Sequence, residues 1–145
     1  MSDPALPKVS SLKIPIRIDA NNQIFTTLTA IHNKTPIDVY FKIDNGCNAV
    51  IIRRNTLKSL GFDTSVQSLN KLPVVNAKLA DGRVTNFRQV GEILLIHNNC
   101  RICTVPVICH LTRQTNDLLG TSVLHKFGSY TISTRGKTYL TLSTQ

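Results

Sequence analysis

The sequence predicts an all-β domain, an antiparallel sandwich or a closed to partly open barrel, on three observations. Ten short runs carry β-type patterning, turn-forming pairs separate many of them, and only two brief segments read as helical. With 145 residues and 41% hydrophobic content, the chain holds enough apolar material for one core without disulfide or metal staples. Residues 1–11, rich in Pro and Ser, read as a flexible arm, and residues 12–145 as a single domain.

In chain order the β-patterned runs are 12–18, 24–31, 37–43, 49–52, 74–79, 84–90, 92–97, 103–109, 130–133 and 138–142. Asn21-Asn22, Asn33-Lys34, Asp81-Gly82, Asn98-Asn99 and Arg135-Gly136 supply turn chemistry between them. Asn55 is placed to cap a short turn through Leu57 and Leu60 that stops at Gly61. Thr121 or Ser122 opens a second helix that buries Val123, Leu124 and Phe127 and stops at Gly128. No repeat or low-complexity tract interrupts the pattern.

The net charge of +9, from 17 Lys and Arg against 8 Asp and Glu, raises the question of a polyanionic partner. The basic residues are scattered from Lys8 to Lys137, Arg53-Arg54 is the only adjacent pair, and no aromatic residues alternate with a basic stripe. A base-stacking surface needs that alternation, so nucleic acid is not the expected partner. The opening residues lack a basic start followed by an apolar stretch, and runs such as Ile93-Leu94-Leu95-Ile96 are too short to span a bilayer. Neither export nor membrane insertion is expected. Four cysteines without a leader read as reduced thiols, which places the chain in the cytoplasm or another reducing compartment.

The most informative stretch is Val39-Tyr40-Phe41-Lys42-Ile43-Asp44-Asn45-Gly46-Cys47-Asn48-Ala49-Val50-Ile51-Ile52, which sets one carboxylate between two apolar strands. A charge there is either exposed in a turn or part of a site that shares its proton, because burial without a partner is costly. Taken alone, Asn45-Gly46 between two strands is a hairpin signal.

From Ile24 to Leu142 the chain resembles the retropepsin-like aspartic proteases. Asp44-Asn45-Gly46 is similar to the family's Asp-Thr/Ser-Gly catalytic loop, with Cys47 where Ala is usual. Leu79-Ala80-Asp81-Gly82-Arg83 looks like the tip of the flap hairpin that closes over substrate. Asn116-Asp117-Leu118-Leu119-Gly120 resembles the apolar-apolar-Gly motif that supports the active-site loop and leads into the family's one regular helix. Tyr139-Leu140-Thr141-Leu142 matches the terminal strand used at the dimer interface. The resemblance implies a homodimeric aspartic endopeptidase with a flap hairpin and one short C-terminal helix. Asp44 would be its catalytic residue, a peptide or protein its substrate, and no cofactor or metal is implied. It also implies an alternative, a weak or inactive dimer serving as a peptide-binding module, because Asn45 stands where the family has a hydroxyl that ties the two loops together.

The chemistry points the same way. Amide hydrolysis by carboxylates needs one ionised to take a proton from water and one protonated to donate to the carbonyl oxygen. Among the eight acidic residues only Asp44 lies in an Asp-x-Gly loop followed by an apolar strand. The second carboxylate must then come from a second copy across a two-fold axis, where the pair shares one proton.

The remaining polar residues have plainer readings. His97, Cys100, Cys103, Cys109 and His110 are close in sequence, yet residues 103–109 read as one strand about 20 Å long, whose ends cannot meet at one zinc ion. They read instead as half-buried thiols around a turn, with Cys100 and Cys103 as a candidate redox-sensitive pair. Cys47 reads as a small buried hydrophobe. Arg53-Arg54 reads as a solvated strand-to-helix edge, and Asp117 as a residue that caps or solvates a loop. Asp81 first of all makes a turn, and His32 and His125 read as exposed turn and helix surface.

Overall fold

A computed structural model describes residues 11–79, 81–110, 116–126, 129–133 and 138–143. Residues 1–10 of the expected arm, Ala80, Phe127, Gly128 and the Arg135-Gly136 turn lie outside the described residues. The described residues form eleven strands: β1 (Ser11–Pro15), β2 (Arg17–Ile18), β3 (Ile24–His32), β4 (Thr35–Ile43), β5 (Val50–Ile51), β6 (Val74–Lys78), β7 (Val84–His97), β8 (Cys100–Cys109), β9 (Asp117–Leu119), β10 (Ser129–Ser133) and β11 (Tyr139–Ser143). Three short helices join them, α1 (Arg54–Ser59), α2 (Val66–Asn70) and α3 (Thr121–Leu124).

Ser11, counted with the expected arm, is already part of β1 and pairs with Ser143. The run 12–18 divides at Ile16. Its amide donates to the Thr138 carbonyl (3.1 Å) and its own carbonyl accepts from the Thr138 hydroxyl (2.7 Å), so the chain leaves one sheet and enters another. β1 belongs to a three-stranded sheet ordered β1-β11-β10, and β2 starts an eight-stranded sheet ordered β2-β3-β4-β9-β5-β8-β7-β6. A further ladder between β3 and β7, Thr29↔Ile96 to Ile31↔Leu94, curls the large sheet back on itself. Closing a sheet in this way removes exposed edges and yields a barrel.

Alternation fills the barrel. Leu28 and Ala30 on β3, Val39, Phe41 and Ile43 on β4, and Val105 and Val107 on β8 point inward into one core with Leu57, Leu60, Leu119, Val123 and Leu124. A smaller cluster of Cys47, Ile51, Ala77, Phe87 and Ile108 lies to one side.

Two separate runs, 84–90 and 92–97, prove to be one strand. β7 continues through a register shift between Gln89 and Gly91, and a Cβ at Gly91 would stand 3.1 Å from the Phe62 ring. His32, expected as exposed turn surface, stacks on that same ring with centroids 3.7 Å apart and is half-buried. α1 begins at Arg54 without a side-chain cap from Asn55, whereas α2 is capped by Ser65, whose side chain accepts from the Ser68 amide. Not all ladders are antiparallel: β4 with β9 and β5 with β8 run parallel. No helix among the described residues is long and apolar enough to cross a membrane.

Candidate active site

β4 and β5 flank the Asp44 loop but do not pair with each other. β9 lies between them, parallel to β4 (Phe41↔Asp117 to Ile43↔Leu119) and antiparallel to β5 (Val50↔Leu119, Ile51↔Leu118). The loop 44–49 must therefore bridge over the end of β9. That excludes the simple hairpin which Asn45-Gly46 suggests on its own.

Backbone bonds fix the loop. The Asp44 amide donates to the Leu119 carbonyl (3.0 Å), and the Cys47 amide donates to the Asp44 carbonyl (3.2 Å). One carboxylate oxygen of half-buried Asp44 accepts from the Gly46 amide (3.0 Å), an Asx turn that orients the side chain. The Cys47 carbonyl accepts from the Thr121 amide (2.9 Å), which ties the loop to the start of α3. Gly120 makes this approach possible. A Cβ there would lie 2.3 Å from the Ala49 carbonyl oxygen and 2.5 Å from that of Cys47. Leu119 is buried in the main core, and Leu118 packs on the smaller cluster.

Cys47 is buried within the loop, and burial pushes its thiol up, against a lowering contact from the Ala49 backbone and with a further rise from the Asp44 charge. A thiol held protonated is a poor nucleophile. The reading of Cys47 as a small apolar filler is consistent with this.

The β6–β7 hairpin stands over the loop. Its tip closes through the Leu79 amide on the Arg83 carbonyl and the Gly82 amide on the Leu79 carbonyl, both 2.9 Å, with Gly82 at φ +84°. The Asp81 carboxylate accepts from the Arg83 amide (2.9 Å) and pairs with its guanidinium (2.5 Å), and these contacts with Arg83 hold the carboxyl below its usual range. Ala80 lies outside the described residues. The end of β6 next to the hairpin tip is fastened to the loop by Asn48, whose amide donates to the Lys78 carbonyl (3.4 Å) and whose side-chain oxygen accepts from the Lys78 amide (3.2 Å).

Loop and hairpin enclose an open cavity of about 600 Å³ lined by Asn45, Gly46, Cys47, Asn48, Lys78, Leu79, Asp81, Gly82, Thr121 and His125. Asp44 is not among the lining residues, although the next residue, Asn45, is. A larger hollow of about 780 Å³ around Ile16, Arg17 and Ile24 is lined by no carboxylate. Sequence reading missed Asn48, Lys78 and His125 as part of the cleft. Asn48 is exposed, so water can satisfy its amide and nothing local marks it.

Asp117 corrects an expectation. It is 1% exposed on β9, not solvated in a loop. Its carboxylate accepts from the Arg53 amide (2.7 Å), the Arg53 guanidinium (3.3 Å) and the Thr56 hydroxyl (2.8 Å). Arg53 is thereby a structural partner as well as a surface residue, and its amide at the uncapped start of α1 is satisfied from β9. Cys103 and Cys109 lie on one continuous strand, and among the described residues no three His, Cys, Asp or Glu side chains gather as a metal shell.

A solved structure described as a retropepsin-like aspartic protease from Rickettsia conorii superposes with a TM-score of 0.62 at 18% identity, covering 92% of this chain and 90% of that one. The fold is similar to that of the retropepsins. No protein-family model and no curated protein matches the sequence. In this retropepsin-like arrangement the short helix α3 follows directly from the strand beneath the Asp44 loop, in the order the motifs suggested.

Proposed function

We propose that the chain is one lobe of a homodimeric aspartic endopeptidase that cleaves extended peptide segments, with one Asp44 per chain activating the water. The observation that carries this reading is the seating of the Asp44 loop over β9, clamped by Leu119 and Thr121 and roofed by the β6–β7 hairpin. In a two-fold pair, the ionised carboxylate takes a proton from water as oxygen attacks the peptide carbonyl, and the protonated one donates to the carbonyl oxygen. Breakdown of the tetrahedral intermediate returns a proton to the leaving amine. Asn45 and Gly46 shape the loop, residues 79–83 act as the flap, and Leu118, Leu119 and Gly120 support the site from beneath.

β11 already has β1 on one side and β10 on the other, so both of its edges are occupied within the chain. A second copy would therefore extend that sheet through an outer strand, β1 or β10, and the terminal strand 139–142 would support the interface from behind.

The exposed Asn45 beside Asp44 favours one alternative, a dimer that binds peptides but turns them over slowly or not at all. Turnover of a peptide library from acid to neutral pH, with sedimentation in parallel, tests both readings. The protease reading expects a bell-shaped acid profile, loss of cleavage in Asp44→Asn with the dimer retained, and specific activity that falls on dilution. Asn45→Thr should raise turnover more than affinity if the hydroxyl is what the loop lacks. Cleavage unchanged in Asp44→Asn refutes the assignment, and binding without cleavage in every form replaces the enzyme by the binding module.

A further inference from the structure

β6 is the last strand of the large sheet, so its outer edge has no neighbouring strand. In an antiparallel ladder, residues that bond the partner strand alternate with residues whose N–H and C=O face away from it. The Pro73 carbonyl accepts from the Gln89 amide (3.0 Å), and the Leu79 amide donates to the Arg83 carbonyl (2.9 Å). Positions 73, 75, 77 and 79 therefore face β7, and the backbone groups of Val74, Asn76 and Lys78 face outward. Among the described residues nothing bonds the outward groups of Val74 and Asn76. Lys78 differs, because Asn48 takes both of its groups.

Asn48 does there what one residue of an added strand would do. Its amide donates to the Lys78 carbonyl and its side-chain oxygen accepts from the Lys78 amide, so it offers the donor and the acceptor that an extended chain offers with its backbone. Both residues line the cavity, and their contact joins its two walls, the loop and the hairpin. The contact is looser than the ties beneath the loop. Its bonds measure 3.4 and 3.2 Å between two exposed residues, whereas Asp44 is tied to Leu119 at 3.0 Å and Cys47 to Thr121 at 2.9 Å. A pull that separates hairpin from loop therefore breaks it before it disturbs the seat of Asp44.

We propose that Asn48 is a displaceable stand-in for substrate: it latches the hairpin to the loop in the empty lobe, and an extended peptide opens the cleft by taking its place on Lys78 and continuing along the outer edge of β6 past Asn76 and Val74. The inference rests on the peptide-cleft reading above and adds how that cleft is shut and what opens it. Recognition of this kind runs through the peptide backbone, as in strand addition to an open sheet edge, and excludes proline at the paired positions. The latch lowers affinity, because the peptide binds only the fraction of lobes in which Asn48 has let go. Losing the side-chain bond alone should raise peptide affinity about two- to tenfold, the net effect of one neutral hydrogen bond.

The test compares the parent with Asn48→Ala, which lacks the side-chain acceptor, and Asn48→Asp, which retains one. Hydrogen exchange at the Lys78 amide reads the latch. Anisotropy of fluorescent peptides from the cleavage library reads binding, with Asp44→Asn added to each form, and cleavage is followed in parallel in the forms that keep Asp44. Without peptide, the Lys78 amide should exchange faster in Asn48→Ala than in the other two, and unfolding curves check that all three are equally folded. Asn48→Ala should bind peptide more tightly, Asn48→Asp should bind no more tightly than the parent, and peptides methylated on their backbone nitrogens should lose the gain. Equal Lys78 exchange in the parent and Asn48→Ala, or peptide binding that is unchanged or weaker in Asn48→Ala, overturns the inference even if cleavage is robust. The expected order of exchange and binding without any cleavage keeps the inference and removes the enzyme. Stronger self-association of Asn48→Ala with no gain in peptide binding also overturns it, by assigning the freed edge to a second copy of the chain. If no form binds peptide, the inference and the peptide-cleft reading fall together.

Discussion

Substituting Gly120 by Ala adds one carbon at the most crowded backbone approach in the site. Gly120 has φ −95° and ψ −170°, extended geometry that alanine adopts freely, so the effect comes from space and not from backbone strain. The new Cβ would lie 2.3 Å from the Ala49 oxygen, and contacts under 3.0 Å essentially never occur, so a gap of 3.0 − 2.3 = 0.7 Å must open. The Cys47 oxygen at 2.5 Å and the Ala49 nitrogen at 2.9 Å block the neighbouring directions. All three are backbone atoms, so no rotamer change relieves the clash, and either the Asp44 loop or the β9–α3 junction has to move. Overpacking of a well-packed region typically costs about 1–3 kcal/mol. The Thr121 to Cys47 bond at 2.9 Å is the first to lengthen, and under the proposed function a displacement of the Asp44 carboxylate by about 1 Å would lose on the order of a hundredfold in rate. Urea unfolding and kcat/KM on one peptide measure the two effects. A Gly120→Ala protein as stable as its parent would refute the close approach. One that is destabilised yet fully active would refute the link between this contact and the position of Asp44.

Two further outcomes follow from buried groups. Asp117→Ala removes the acceptor for the Arg53 amide and the buried Thr56 hydroxyl, and should destabilise by about 2–4 kcal/mol in denaturant unfolding; a change within a few tenths would show that these bonds contribute nothing net. The Cys47 and Cys109 thiols are both raised by burial, the second against a lowering from Arg54, so the folded state holds these protons more tightly than the unfolded one. Their contribution is whole below the ordinary thiol value of 9.0 and is lost as pH rises through the folded values. Urea midpoints should therefore fall more steeply above about pH 9 in the parent protein than in Cys47→Ala, and alkylation of Cys47 and Cys109 in the native protein at neutral pH should be slow. Rapid native-state alkylation of Cys47 would contradict its burial.

Much of this was legible in the residues. Period-2 alternation located most of the strands, and Asp81-Gly82 marked its hairpin, because both signals are local. The barrel closure was not, since the β3–β7 ladder depends on residues as far apart as Thr29 and Ile96. Treating 84–90 and 92–97 as two strands failed for a related reason: Gly91 looks like a break until Phe62 is seen packing against it. Asp117 was misjudged because a lone acidic residue before Leu118-Leu119 gives no hint of Arg53 and Thr56 waiting across the sheet. α2 was missed although its signal was present, with Asp63 and Ser65 spaced to bond Ser68. At the site, Asp44, Gly46 and Gly120 could be picked out by motif, whereas Asn48, Lys78 and His125 came together only through the way the hairpin folds back.

The β1–β11 ladder bears on how the protein comes into being. Ser11–Pro15 finds its partner only in Tyr139–Ser143, at nearly the full separation the described chain allows. Pairings of that range carry the largest loop-closure cost and assemble late. While the chain is being made, β1 emerges before β11 and stays without this partner until 139–143 has left the ribosome. Isolated strand edges of this kind are templates for wrong partners, including the β1 of a neighbouring chain on the same message. A lobe lacking 139–143 would leave β1 and β10 without their shared partner strand and Ile14 without its cross-strand neighbour Leu140, so the core at this end is closed only when β11 is in place.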